Sequence, residues 1–195
     1  MLDERKKQAI LDAATAAFID RGYKKTSIDE VAVAAGVGKG TVYLACESKA
    51  DLLYQCVAQD LQAWAAQVAR FVDPRKPAGT ILVTMAQSGV AYLGEHPLVR
   101  DLFSGIHYGV LPDWTDRFEQ LRTMSRGTVS EVLRLGIRQG EFRDDIDIEE
   151  ASSLIQDMAH SGYILYGDKW AADPSSAEGR MKAVATLLMD GLRVR

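Results

Sequence analysis

Residues Ser27–Lys49 read SIDEVAVAAGVGKGTVYLACESK, and the glycines at 36, 38 and 40 constrain the fold more than any other feature of the chain. A glycine-lysine-glycine-threonine run suits two different architectures: a phosphate-cradling loop fed by a strand, or a turn between two short helices. A phosphate loop of the G-x-x-x-x-G-K-[ST] kind needs a glycine five residues before Gly38, where this chain has Val33. It also places a hydroxyl directly after the lysine, where this chain has Gly40. Some nucleoside-monophosphate kinases carry glycine there, so the context decides. Ser27 followed three residues later by Glu30 is a capping box, and Ile28, Val31 and Ala32 fall on one helical face. A capped helix therefore feeds the run, not a strand, and the glycines are a turn.

The remaining chain extends the helical reading. Ile10, Ala13 or Ala14, Ala17 and Phe18 form one face of a first helix that Gly22 is placed to end. After the turn a short helix is expected from Gly38 or Lys39 to Leu44. A long one follows over 48–72, with Leu53, Val57, Leu61, Trp64, Val68 and Phe71 in three/four rhythm. Further helices are predicted at about 78–94, 98–108, 114–139, 147–167 and 176–193, separated by prolines and glycines. No strand pattern and no repeat emerges, so the parallel sheet that a nucleotide-binding enzyme requires has no source. The fold class is all-α, with a helix-turn-helix domain over 1–48 and a helical domain over 49–195.

Charge and composition narrow the function. A chain of 195 residues with 47% hydrophobic and 26% charged residues is an ordinary globular composition. Its net charge of −4 does not mark a nucleic-acid binder, yet residues 1–50 are net +1 and the remainder net −5. Any DNA contact belongs to the first quarter. The charged start MLDERKKQAI leaves no room for a signal peptide and no apolar run reaches membrane-spanning length, so a cytoplasmic protein is expected. Cys46 and Cys56 are expected as free thiols in that reducing compartment. His96, His107 and His160 share no ligand spacing, so neither a metal nor another cofactor is expected, nor enzymatic activity.

Two short helices joined by a glycine turn form a helix-turn-helix, whose second helix enters the DNA major groove. Gly36 supplies the turn and Val37 plugs it into the core. Gly38 and Gly40 let the backbone approach phosphate, while Lys39, Thr41 and Tyr43 offer a cation, a hydroxyl and a phenol. At this level the stretch from Ala9 to Leu53 resembles the DNA-binding domain of the tetracycline-repressor family of bacterial transcriptional regulators. The resemblance lies in Gly22-Tyr23, Thr26-Ser27, Ala35-Gly36-Val37, Lys39-Gly40-Thr41-Val42-Tyr43 and Ser48-Lys49. It implies a homodimer that binds a palindromic operator and is released by a small molecule, more a repressor than an activator. One departure stands out: the family usually has an aromatic or histidine and then phenylalanine where this chain has Ala45 and Cys46. Somewhat weaker or altered operator contacts are the expected result.

The expected DNA contacts are Thr26, Ser27, Val37, Gly38, Lys39, Gly40, Thr41, Tyr43 and Lys49. Lys49 would act as a phosphate clamp at the start of the long helix; Thr26 and Ser27 would offer hydroxyls, with Ser27 equally suited to plain capping. Base reading would fall to Gly38–Thr41 and Val37. For the unidentified effector, the resemblance points to the middle helices, where Trp64, Met85, Tyr92, Phe103, His107, Tyr108, Trp114 and Phe118 favour a mostly apolar ligand. The resemblance also places the dimer interface on the last two helices, through Leu154, Ile155, Met158, Gly162 and Leu165 on one, and Met181, Val184, Leu188 and Leu192 on the other. Two rivals make different demands: a kinase would bind ATP through Lys39, and a DNA-packaging protein would not distinguish operator from random duplex.

Overall fold

The structure, a computed structural model, describes residues 2–103, 114–158, 161, 173 and 175–194, and for a few helical residues, among them Phe103, Trp114, Phe118 and Met181, the backbone only. The described residues are all-α, with one isolated bridge between Phe142 and Arg193. They divide into two compact units, residues 1–62 and 63–195.

In the first unit, α1 (Glu4–Lys25) opens on Asp3, whose carboxylate accepts the Arg5 N–H. Its buried stripe is Ile10, Leu11, Ala14, Ala17 and Phe18. The helix expected to end at Gly22 does break its ladder there, with φ 75, but one more turn follows to Lys25. Next, α2 (Ile28–Ala34) starts on the predicted capping box: the Glu30 N–H donates to Ser27 Oγ, and the Ser27 N–H donates to the Glu30 carboxylate at 3.0 Å. Gly36 then takes φ 67, a left-handed conformation that costs other residues about 1–2 kcal/mol. The turn lets the Val37 N–H reach back to the Ala32 carbonyl at 3.0 Å and sets α3 (Lys39–Ala45) against α1 and α2.

The long α4 (Lys49–Ala69) closes this core with Leu52, Leu53, Cys56 and Val57, all buried. The boundary expected at 48/49 marks the loop where α4 opens, whereas the compact unit runs on to Gln62 because that face of α4 belongs to the first core. Cys46 and Cys56 are both buried, and burial pushes each thiol up to about 11. Buried neutral thiols are inert, so Cys46 serves as a small core residue.

The second unit contains α5 (Ala78–Glu95), α6 (Pro97–Phe103), α7 (Trp114–Arg138), α8 (residues 148–158) and α9 (Ser175–Leu192). Its core joins Ala78 and Ile81 of α5, Val129, Val132, Leu133 and Leu135 of α7, Phe142 of the following loop, and Met189 and Leu192 of α9. Gly136 lies inside α7 because a Cβ there would collide with the buried Phe142 ring. The same loop caps α5 from a distance. Gln139 Oε1 accepts the Ala78 N–H at 3.0 Å, and the Glu141 carboxylate accepts the Gly79 N–H. The chain end is fixed to it as well, since the Arg143 N–H donates to Leu192 O at 2.8 Å and the Val194 N–H to Glu141 O.

Candidate nucleic-acid interface

In α3 one side is anchored and the other is open. Val42 is fully buried, while Gly38, Lys39, Gly40, Tyr43 and Leu44 are exposed and Val37 and Thr41 are half-buried. Leu44, at 75% exposed, was not singled out from the sequence. It lies on the helical face of Gly40 and Tyr43, a signal present in the spacing but hidden by the assumption that leucines face inward.

Lys39 is not an isolated cation. Its Nζ stands 2.9 Å from Asp29 Oδ2 in the first turn of α2, and that hydrogen bond raises the lysine's pKa. Glu30, next in sequence, pairs with Arg21 Nη1 at 2.7 Å in addition to closing the capping box. The bonds from Ser27, and then the nearby guanidinium, hold the Glu30 carboxyl below its ordinary value.

Two expected contacts are engaged inside the fold. Thr26 is only 2% exposed, and its hydroxyl donates to the Ala17 and Gly22 carbonyls, each at 3.0 Å. Its place at the joint between α1 and α2 turns it inward. The half-buried Lys49 donates to Tyr23 O at 2.8 Å and Thr26 O at 3.0 Å, with its ammonium 4.4 Å from the Tyr23 ring centroid. Rather than projecting toward a phosphate, it ties the start of α4 to the end of α1. Burial also pushes the Tyr23 hydroxyl's pKa up. Ser27 stays exposed but bonded within its capping box.

Of the residues expected around an effector, Trp64 and Tyr92 do come together, with ring centroids 5.8 Å apart, and Tyr92 stacks on His96 at 3.6 Å. Trp64 Nε1 is buried without an acceptor, an uncommon state for an indole N–H. Met85 packs beside the second unit's core. His107 and Tyr108 lie outside the described residues, as do the side chains of Phe103, Trp114 and Phe118. Among the expected interface residues, Leu154 is 57% exposed, and Ile155, Met158, Val184 and Leu188 are half-buried. Leu192 departs from expectation: it is buried in the second unit's core, because α9 turns that residue toward Phe142 and Met189. Leu187, five residues earlier and 71% exposed, presents the open apolar surface on α9 instead. Gly162 and Leu165 lie outside the described residues, as does the side chain of Met181.

Among the described residues no group of three or more His, Cys, Asp or Glu is placed to hold a metal, and no helix is long and apolar enough to cross a membrane.

A capped helix, a left-handed glycine turn and a half-exposed second helix define a helix-turn-helix DNA-binding head. Residues 10–56 match the model of the family described as bacterial regulatory proteins, tetR family. Residues 10–56 are thus a DNA-binding domain of the tetR type. Similar proteins include the HTH-type transcriptional repressor KstR2 of Rhodococcus jostii, 27% identical over 77% of this chain and 74% of that protein. The HTH-type transcriptional repressor BepR of Brucella suis is 26% identical over 84% of this chain and 82% of its own length. Among solved structures, the transcriptional regulator FadR from Bacillus subtilis in complex with stearoyl-CoA shares the fold, with a TM-score of 0.76 and 18% identity over 94% of this chain and 98% of that one. The chain is a transcriptional regulator that carries a DNA-binding domain of this type.

Proposed function

We propose that the protein is a cytoplasmic, homodimeric repressor that binds a palindromic operator and is released by a small, mostly apolar effector. The glycine pattern carries the DNA half of this reading. Gly36 is needed by its left-handed backbone, but Gly38 and Gly40 are not held to glycine by their own fold. A Cβ at Gly40 would meet nothing within 4 Å, and one at Gly38 only Thr41 Oγ1 at 4.0 Å. Glycine there serves a body that approaches from outside, as a DNA backbone does at the start of a recognition helix. Lys39, Thr41 and Tyr43 then position the head, and Val37 and Leu44 offer methyl groups to thymine edges.

The effector half rests on Trp64, whose buried N–H lacks an acceptor beside the Tyr92–His96 stack. A ligand with an apolar body and one acceptor group suits that surrounding. Stearoyl-CoA, the ligand of the FadR structure, carries such a body in its acyl chain and an acceptor in its thioester carbonyl, and is the first compound to try. Trp64 lies on the same helix that begins at Lys49, so an effector that shifts α4 changes the spacing of two recognition helices in a dimer. It does so only by as much as it prefers the shifted state. The exposed Leu154 and Leu187 support pairing through α8 and α9.

Fluorescence anisotropy on duplex DNA from upstream of the protein's own gene, with random competitor, tests the reading. Competitor-resistant binding is expected, weakened by Lys39→Ala and by Gly40→Ala. Because alanine is the better helix former by about 1 kcal/mol, Gly40→Ala should weaken DNA binding while leaving the melting temperature unchanged or raised. A Gly40→Ala protein that melts normally and binds normally would remove the central observation.

A further inference from the structure

We propose that Asp29 is a built-in stand-in for DNA phosphate, which holds Lys39 when the head is off DNA and must yield it when the head binds. The inference rests on the reading of Lys39 as a DNA contact. Asp29 presents its carboxylate from the first turn of α2, and Lys39 is the first residue of α3, so the pair bridges the glycine turn at 2.9 Å. Both side chains are more than half exposed, at 65% and 53%. A pair this exposed contributes little to folding, since water screens it and holding two side chains in one geometry costs entropy. Its geometry is nonetheless that of a lysine on a phosphate oxygen: one ammonium donor on one anionic oxygen at the front of the recognition helix.

The neighbouring charges do not offer Asp29 another role. Glu30 closes the capping box with Ser27 and pairs with Arg21, so the helix start is served without Asp29. The Glu47 N–H donates to the Asp51 carboxylate at the far end of α3, and Ser48 caps the start of α4 by accepting the Asp51 N–H. Asp29 therefore acts on Lys39. When phosphate replaces it, the freed carboxylate stays close to the DNA anion and adds a repulsive charge. Both effects lower DNA affinity, once in each subunit of a dimer.

The test uses the full-length protein and a random-sequence duplex, which needs no knowledge of the operator. Dissociation constants are measured by anisotropy over a range of salt for wild type, Asp29→Asn, Lys39→Ala and the double variant, with thermal melting to check that each folds. Asp29→Asn should tighten binding about three- to tenfold for the dimer. It should steepen the log K against log salt slope by up to about 0.9 per subunit, as one net charge per head becomes available. In the Lys39→Ala background the same substitution should tighten binding clearly less, because only the carboxylate's repulsion of the DNA is then relieved. An unchanged or weaker Asp29→Asn affinity would overturn the proposal, and so would equal tightening in both backgrounds, which would make Asp29 a general field charge. If instead Lys39→Ala binds DNA like wild type, the reading of Lys39 as a contact fails, which is a separate result from the other two.

Discussion

The two units keep their elements together by different means, and the difference is one of sequence distance. In the head the fixing contacts are short-range: Ser27 with Glu30, Thr26 with Gly22 and Ala17, Val37 with Ala32. Longer-range bonds there run from Lys49 to the Tyr23 carbonyl and from Cys56 Sγ to the Leu11 carbonyl. In the second unit the corresponding joints cross more than sixty residues, from Gln139 to Ala78 and from Glu141 to Gly79. Local joints leave a trace in a sequence motif, whereas distant ones do not, because nothing near Ala78 announces that its N–H will be capped by a glutamine from another helix's end. The head is thus held by local joints over a core that includes Ile10, Phe18, Val42, Leu52 and Leu53, and the second unit by distant joints around a core in which the Phe142 ring meets α7 and the chain end.

The largest test of that contrast is Phe142→Ala, which should cost about 3–5 kcal/mol in urea unfolding, as for buried aromatics generally. Gly136→Ala should be destabilising in the wild type, where the new methyl meets the ring, but neutral or stabilising in the Phe142→Ala background, where only helix propensity remains. Failure of that sign reversal would mean that the ring is not what keeps residue 136 a glycine.

In the head, Lys49→Met should cost about 2 kcal/mol, because two carbonyls lose a charged donor. If Lys49 were a phosphate clamp instead, melting would be unaffected and only DNA binding would weaken. A smaller loss, about 1–2 kcal/mol, is expected for Gly36→Ala, read by the same unfolding curves. The added Cβ would meet nothing, so the penalty there is conformational alone.

The smallest effect belongs to Asp73, whose carboxyl is held down to about 2, chiefly by its side-chain bond to Arg75. A depressed folded value means that the group stabilises the fold above the ordinary aspartate range. That contribution disappears as the pH falls toward about 2. Asp73→Asn should remove this part of the acid dependence and leave stability at pH 9 little changed beyond the loss of the exposed pair. The cysteines act at the other extreme: with both thiols raised by burial, their contribution is present below the unfolded cysteine range and is lost as the pH rises toward about 11.

The amino-acid sequence by itself determined the helical class, the capping box, the left-handed turn at Gly36 and the burial of Val31, Ala32 and Ile28, because each depends on neighbours within one or two helical turns. It also gave the composition of the recognition helix, which Gly38, Lys39, Gly40 and Tyr43 present outward. Tertiary structure alone decided what those side chains do off DNA and which way ambiguous ones turn. Lys49 and Thr26 look like phosphate ligands on a motif, yet the break of α1 at Gly22 brings the Ala17 and Gly22 carbonyls to Thr26, and the start of α4 brings Lys49 to the Tyr23 and Thr26 carbonyls. Leu192 fits an interface stripe as well as a core stripe, and only the arrival of Phe142 beside α9 settles the matter. A helical period specifies a face but not its partner, so residues on a face's edge take their roles from whichever distant group the fold brings to them.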